Sequence, residues 1–102
     1  MPEFKKVAVL SEISHGTAKR VEVNATSIAL FNINGAIYAI DDTCTHRECS
    51  LSEGFIEGFT VTCPCHMSVF DIKTGKVLEP PALLNVSSYK VRIQGGDIEV
   101  EI

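Results

Sequence analysis

All four cysteines of this chain lie between positions 44 and 65, and two of its three histidines, His46 and His66, lie among or directly beside them. They form two short segments, Cys44-Thr45-His46-Arg47-Glu48-Cys49 and Cys63-Pro64-Cys65-His66-Met67-Ser68. Each segment offers a thiolate and an imidazole at C-x-H or C-x-x-H spacing, plus one further cysteine. If these side chains share one metal centre, two loops separated in sequence must meet at one point. A binuclear iron–sulfur cluster with two cysteines on one iron and two histidines on the other requires this mixed set. Its charge is favourable in a small protein. Two ferric ions, two sulfides and two thiolates sum to zero when the histidines are neutral, so one added electron leaves a single negative charge. Imidazole in place of thiolate also raises the reduction potential above that of the all-cysteine type.

Three rival readings use the same residues. Structural zinc takes a Cys2His2 set, although C-x-H is a cramped first couple and zinc ribbons prefer C-x2-4-C. A zinc-stabilised β module that binds a protein partner is therefore the alternative from a different functional class. An all-cysteine cluster would use the C-x4-C spacing of Cys44 and Cys49. Cys63 and Cys65 are then one residue apart rather than two, and both histidines go unused. Two disulfides with incidental histidines are the third rival, disfavoured in a chain that opens without a secretory signal.

Length and charge narrow the function classes. A chain of 102 residues is expected to form one domain, 1–102. It is 45% hydrophobic and 22% charged, which excludes a disordered tail. The net charge is −4, from 9 Lys+Arg against 13 Asp+Glu, with no basic run. Neither nucleic acid nor an anionic membrane surface has a footprint here. The opening Met1-Pro2-Glu3-Phe4-Lys5-Lys6-Val7 has no apolar stretch behind it, and no run approaches spanning length. A cytoplasmic, soluble protein is expected. No Ser-His-Asp order, paired-carboxylate site or phosphate loop is apparent, so no enzymatic centre is expected.

Apolar alternation dominates the rest of the chain. Phe4–Leu10, Ala18–Val23 and Ser27–Ile33 read as strands. Asn34-Gly35 then stands between two β-prone runs, and this dipeptide suits the positive φ angles of a tight hairpin. Ala36–Ile40 returns. Tyr89, Val91 and Ile93 alternate with Lys90 and Arg92; after Gly95-Gly96, Ile98, Val100 and Ile102 alternate with acidic residues. Ser11–Ser14 could form one helical turn. The pattern predicts an all-β fold of short strands, a small barrel or sandwich. Residues 43–82 are richer in Gly, Pro and Cys and read as an insertion between the hairpin and the last strands. His15, beside Gly16, reads as an ordinary loop residue. Phe31, Phe55 and Phe59 read as core or loop packing, and Leu51, Met67 and Pro81 as shields for a metal centre.

The two segments resemble the cluster-binding boxes of Rieske proteins, matching in type, order and spacing of four ligands. Outside the boxes the chain resembles the small Rieske-type ferredoxins that feed electrons to ring-hydroxylating oxygenases. Phe70-Asp71-Ile72-Lys73-Thr74-Gly75-Lys76-Val77 is similar to the strand, turn and strand after their second box. Pro80-Pro81-Ala82 is similar to the loop covering their cluster. The resemblance implies a Rieske-type fold of antiparallel sheets with a small inserted cluster-binding subdomain. It implies a [2Fe–2S] cluster held by Cys44 and Cys63 on one iron and His46 and His66 on the other. It also implies one-electron transfer from a flavin- or iron–sulfur-containing reductase to a terminal oxygenase or another acceptor. A small Rieske subunit of a multi-subunit oxidoreductase is the alternative.

The chain departs from those ferredoxins inside the boxes. Cys49 and Cys65 stand where the Rieske subunits of cytochrome bc complexes carry a disulfide between the two loops, which implies the same bridge here. Ser68 matches a serine that, in those subunits, hydrogen-bonds a bridging sulfide. Phe70 replaces a tyrosine that hydrogen-bonds a cysteine sulfur, and Met67 replaces a glycine. The resemblance thus makes Ser68, Phe70 and Pro81 candidates for tuning the potential.

Overall fold

The computed structural model describes residues 3–45, 49–65, 67–80 and 82–102. Among these, the chain forms strands β1 (Phe4–Val9), β2 (Ala18–Val23), β3 (Thr26–Ile33) and β4 (Ala36–Asp41). Then come β5 (Phe55–Glu57), β6 (Thr60–Thr62), β7 (Val69–Asp71) and β8 (Val77–Glu79). Last are β9 (Ser88–Tyr89), β10 (Val91–Gln94) and β11 (Asp97–Glu101). Two single-turn 3-10 helices, Leu10–Glu12 and Leu51–Glu53, complete the described elements. The expected barrel or sandwich resolves into three antiparallel sheets, ordered β1-β11-β10, β2-β3-β4-β9 and β5-β6-β7-β8.

The alternation of β3 explains why three sheets are needed. Successive side chains of a strand point to opposite faces. Ile28 and Leu30 enter one core with Ile37, Ala39, Ile98 and Val100. Ala29, Phe31 and Ile33 enter a second core with Ile40, Val61, Phe70 and Ile72. The middle sheet is therefore buried on both faces, and the last six residues of β3 are all buried. One face packs on the terminal strands. The other faces the sheet of β5–β8, so that sheet rests on the middle one through a shared apolar layer.

Turn chemistry matches the sequence. Asn34 and Gly35 have φ of 55° and 89°, and β3 and β4 pair in register from Ile33↔Ala36 to Ile28↔Asp41. Positive φ at both central residues gives a two-residue loop whose twist suits its strands. The His15 ring supports the same turn, its Nδ1 accepting the Asn34 N–H at 2.7 Å. The chain re-enters the middle sheet through β9, fastened by a carboxylate. Asp41 accepts the Tyr89 hydroxyl at 2.5 Å and the Ser87 N–H at 3.1 Å.

Candidate metal centre

Two loops leave the middle sheet and the β5–β8 sheet and converge on the second core. The first begins at the end of β4. Thr43 and Ser50 form an antiparallel bridge, and the Cys44 N–H donates to the Cys49 carbonyl at 3.0 Å. These contacts tie the two ends of the first box together. Its base is held by Asp42, which is only 1% exposed. The Asp42 carboxylate accepts the Ser52 N–H at 2.8 Å, and Arg20 Nε lies 3.6 Å from its other oxygen. A buried carboxylate is costly unless paired and hydrogen-bonded; here both conditions are met. The second loop follows β6. The Cys63 N–H donates to the Ser68 carbonyl at 2.7 Å, and the Met67 N–H to the Cys63 carbonyl at 3.1 Å.

The loops carry the predicted cysteines to one place. Cys44 and Cys63, 3% and 0% exposed, belong to the same apolar cluster as Leu51, Phe70 and Ala82. Cys49 and Cys65 are joined by a disulfide, with Cα atoms 6.4 Å apart. His46, His66 and Pro81 lie outside the described residues, so the imidazole half of the predicted ligand set and one tuning candidate have no placement here.

A third segment closes over these loops. Ala82 donates its N–H to the fully buried Ser68 Oγ at 2.9 Å. Thr45 Oγ1 donates to the Leu84 carbonyl at 2.6 Å. Further along, the Val86 N–H donates to the Gly75 carbonyl at 2.9 Å, and the Val77 N–H to Asn85 Oδ1 at 2.9 Å. Gly75 has φ +79°, and a Cβ there would collide with the Val86 carbonyl, so only glycine allows this approach. Met67 occupies the same left-handed region at φ 66°. That conformation suits the glycine found in the resembling subunits and costs a residue with a Cβ roughly 1–2 kcal/mol.

The other sequence candidates divide. Phe31 and Leu51 are fully buried, whereas Met67 is exposed. Phe59 stacks edge-on against Tyr38, with ring centroids 5.9 Å apart, and carries Lys73 on its face. Phe55 is 60% exposed, which corrects its reading as packing. Asp42, Thr45 and Asn85 were not legible as site residues. Their roles depend on partners outside the two boxes. Only the position of Asp42, directly after a strand and two residues before Cys44, hinted at an anchor.

Residues 3–90 match the Rieske [2Fe-2S] domain. The chain belongs to the Rieske family. It is 40% identical over 99 residues to the biphenyl dioxygenase ferredoxin subunit of Pseudomonas sp. strain KKS102, covering 96% of this chain and 91% of that one. The ferredoxin of carbazole 1,9a-dioxygenase from Nocardioides aromaticivorans IC177 superimposes with a TM-score of 0.91 at 28% identity, covering 95% of each chain. A structure titled as the complex of reduced oxygenase and oxidized ferredoxin in carbazole 1,9a-dioxygenase gives 0.89 at 33% identity, covering 96% and 92%.

As a Rieske protein the chain is an electron carrier, and its cofactor is a [2Fe–2S] cluster. The described donors fit that group. Two buried cysteines in one apolar cluster, on loops tied by a disulfide, match the thiolate half of a Cys2His2 set. The cluster supplies a site that takes up and releases one electron. The protein's part is to bury the sulfur side, fix the loops and leave an approach for partners. No helix among the described residues is long and apolar enough to cross a membrane.

Proposed function

We propose that this chain is a cytoplasmic ferredoxin that carries single electrons from a reductase to the terminal oxygenase of a ring-hydroxylating system. Cys44 and Cys63 hold one iron, and His46 and His66 hold the other. Residues 43–82 act as one cluster-bearing subdomain of a single domain, 1–102. The observation that carries this reading is end-to-end likeness to a dioxygenase ferredoxin subunit, 40% identity over nearly the whole of both chains. The convergence of Cys44 and Cys63 in one buried cluster supports the thiolate assignment.

The test is spectroscopic and kinetic. The purified protein should be brown and contain two irons and two acid-labile sulfides. It should take up one electron and give it to a terminal oxygenase. His46→Ala and His66→Ala should each lose the cluster or change its visible and electron-paramagnetic-resonance spectra, whereas His15→Ala should not. A colourless zinc protein, or an unchanged spectrum in His46→Ala, would overturn the assignment.

A further inference from the structure

The disulfide between Cys49 and Cys65 is the one covalent tie between the two boxes, since the chain has four cysteines and Cys44 and Cys63 form no bridge. Its two halves stand in different surroundings. Cys49 is partly buried and packs against the second core, whereas Cys65 is exposed. Cys44 and Cys63 are buried in that same core. A thiol reagent arriving from solvent therefore meets Cys65 first and the cluster thiolates last. Displacement at sulfur also requires the incoming thiolate to stand opposite the leaving sulfur, so access decides which sulfur is attacked. Attack on Cys65 expels Cys49. Attack on Cys49 is hindered by the core against which it packs.

The boxes do not depend on the bridge alone. In the first, the Cys44 N–H donates to the Cys49 carbonyl, and the Thr45 hydroxyl to the Leu84 carbonyl. In the second, the Cys63 N–H donates to the Ser68 carbonyl, and Ser68 Oγ accepts the Ala82 N–H. Each box is thus fastened to itself and to the segment over it without the disulfide. Opening the bridge leaves those ties in place and lets the boxes move relative to one another. A buried bridge in a small domain is a permanent staple; an exposed one is the labile kind, open to exchange. In a reducing compartment such bridges are mostly transient and redox-sensing.

We propose that Cys65 is a site of thiol–disulfide exchange with a dithiol, and that the bridge is a reversible clamp on the cluster. A thiolate of the dithiol attacks Cys65 Sγ. A new S–S bond forms there, the bond to Cys49 breaks, and Cys49 leaves as a thiolate and takes up a proton. The second thiolate of the dithiol then attacks its own sulfur in the mixed disulfide and releases Cys65. Two electrons and two protons pass from the dithiol to the bridge, leaving two cysteine thiols and an oxidised dithiol. A low-molecular-weight disulfide such as oxidised glutathione closes the clamp by the reverse exchange. The cluster takes ligands from both boxes, so it is held firmly with the clamp closed and loosely with it open. This goes beyond the carrier reading and holds whichever acceptor takes the electron.

The experiment uses the cluster-loaded protein under anaerobic conditions. A thioredoxin whose second active-site cysteine is replaced by serine should be trapped as a mixed disulfide, and peptide mapping by mass spectrometry should place it on Cys65. Intact thioredoxin, kept reduced by NADPH and its reductase, should expose Cys49 and Cys65 to alkylation and speed iron release to a chelator about tenfold. That lies within the roughly hundredfold limit for a bridge closing a loop of this length. Removing thioredoxin and adding oxidised glutathione should restore both the bridge and the slow release. The double variant Cys49→Ser with Cys65→Ser should release iron at the fast rate with or without thioredoxin. If that variant does not retain a cluster, the closing and reopening of the wild type carries the test. A bridge that stays closed under thioredoxin, or a mixed disulfide on Cys49, overturns the exchange site. An opened bridge with unchanged iron release overturns the clamp.

Discussion

Ser68 shows how much one buried hydroxyl can be asked to do. Its oxygen accepts the Ala82 N–H, which leaves its own proton to donate elsewhere. A donor to a cluster sulfur stabilises the more negative, reduced form and raises the potential. A charge-assisted hydrogen bond contributes on the order of 1.5–3 kcal/mol, or roughly 60–130 mV for one electron as an upper bound. Ser68→Ala should therefore lower the midpoint potential by less than that. It should also cost about 1–3 kcal/mol by leaving the Ala82 N–H unpaired. Phe70 is buried and lacks a hydroxyl; Phe70→Tyr should raise the potential if the new group reaches a cysteine sulfur. Voltammetry of the three proteins at one pH decides. An unmoved Ser68→Ala potential with lower stability would leave Ser68 only as a clasp for the 82–86 segment.

Tyr89 makes a prediction about pH. Burial, then the hydrogen bond to Asp41 and the charge of that carboxylate, push its phenol well above its ordinary value. The fold thus favours neutral Tyr89. Its contribution is complete below about pH 10, where the unfolded phenol is also neutral. It is lost progressively as pH rises from there toward the folded value, because only the unfolded chain then releases the proton. Tyr89→Phe should cost on the order of 1 kcal/mol at neutral pH and show a shallower alkaline loss of stability. Urea melts at pH 8 and pH 11 test this; equal alkaline slopes in both proteins would refute it.

At the scale of elements, the sequence was most informative where a pattern is local. The Asn34-Gly35 hairpin and the alternation of β11 need only neighbouring residues, and both are present. The ligand boxes were legible because metal chemistry demands residue types at short spacing. Of the β5–β8 sheet, only the strand, turn and strand of β7 and β8 were implied, by resemblance; alternation could not show the four strands, because three residues cannot show a period of two convincingly. Nor could alternation reveal that β3 serves two cores, since a strand buried on both faces reads as one apolar run. The 82–86 segment depends on Gly75, whose need is visible only when Val86 is placed beside it. Gly75→Ala should destabilise by about 2 kcal/mol or more, from the left-handed φ together with the Val86 clash. It should also increase hydrogen exchange at Val86 and Ala82; protection as in the wild type would refute the clasp.

The disulfide links two such elements across a sequence separation of 16. Closing a loop of that size stabilises by roughly 3 kcal/mol when its geometry is relaxed. The double variant Cys49→Ser with Cys65→Ser should lose about that much and release iron faster to a chelator. Mass spectrometry of the denatured, alkylated protein, with reductant excluded, should find neither residue modified in the wild type. Alkylation at both would show that the bridge is absent in solution.

For the whole molecule, the question is whether the two cores fail together. They share β3, and adjacent residues on that strand belong to different ones. Leu30 belongs to the same core as Ile98 and Val100; Phe31 belongs to the same core as Cys44, Cys63 and Phe70. Leu30→Ala should cost about 2–5 kcal/mol and Phe31→Ala about 3–5 kcal/mol. A chain of this length commonly unfolds as one unit, so both variants should shift the urea midpoint of the whole protein. Below the transition their effects should diverge. Phe31→Ala opens a cavity in the layer that holds the cysteine loops, and should hasten loss of the visible spectrum under a chelator. Leu30→Ala opens its cavity on the far side of the middle sheet, where the cysteine loops rest on intact packing. Its native-state rate of iron loss should stay near that of the wild type although its stability has fallen. Equal rates of iron loss in the two variants would mean that the cluster escapes only through global unfolding, and that the second core gives it no protection of its own.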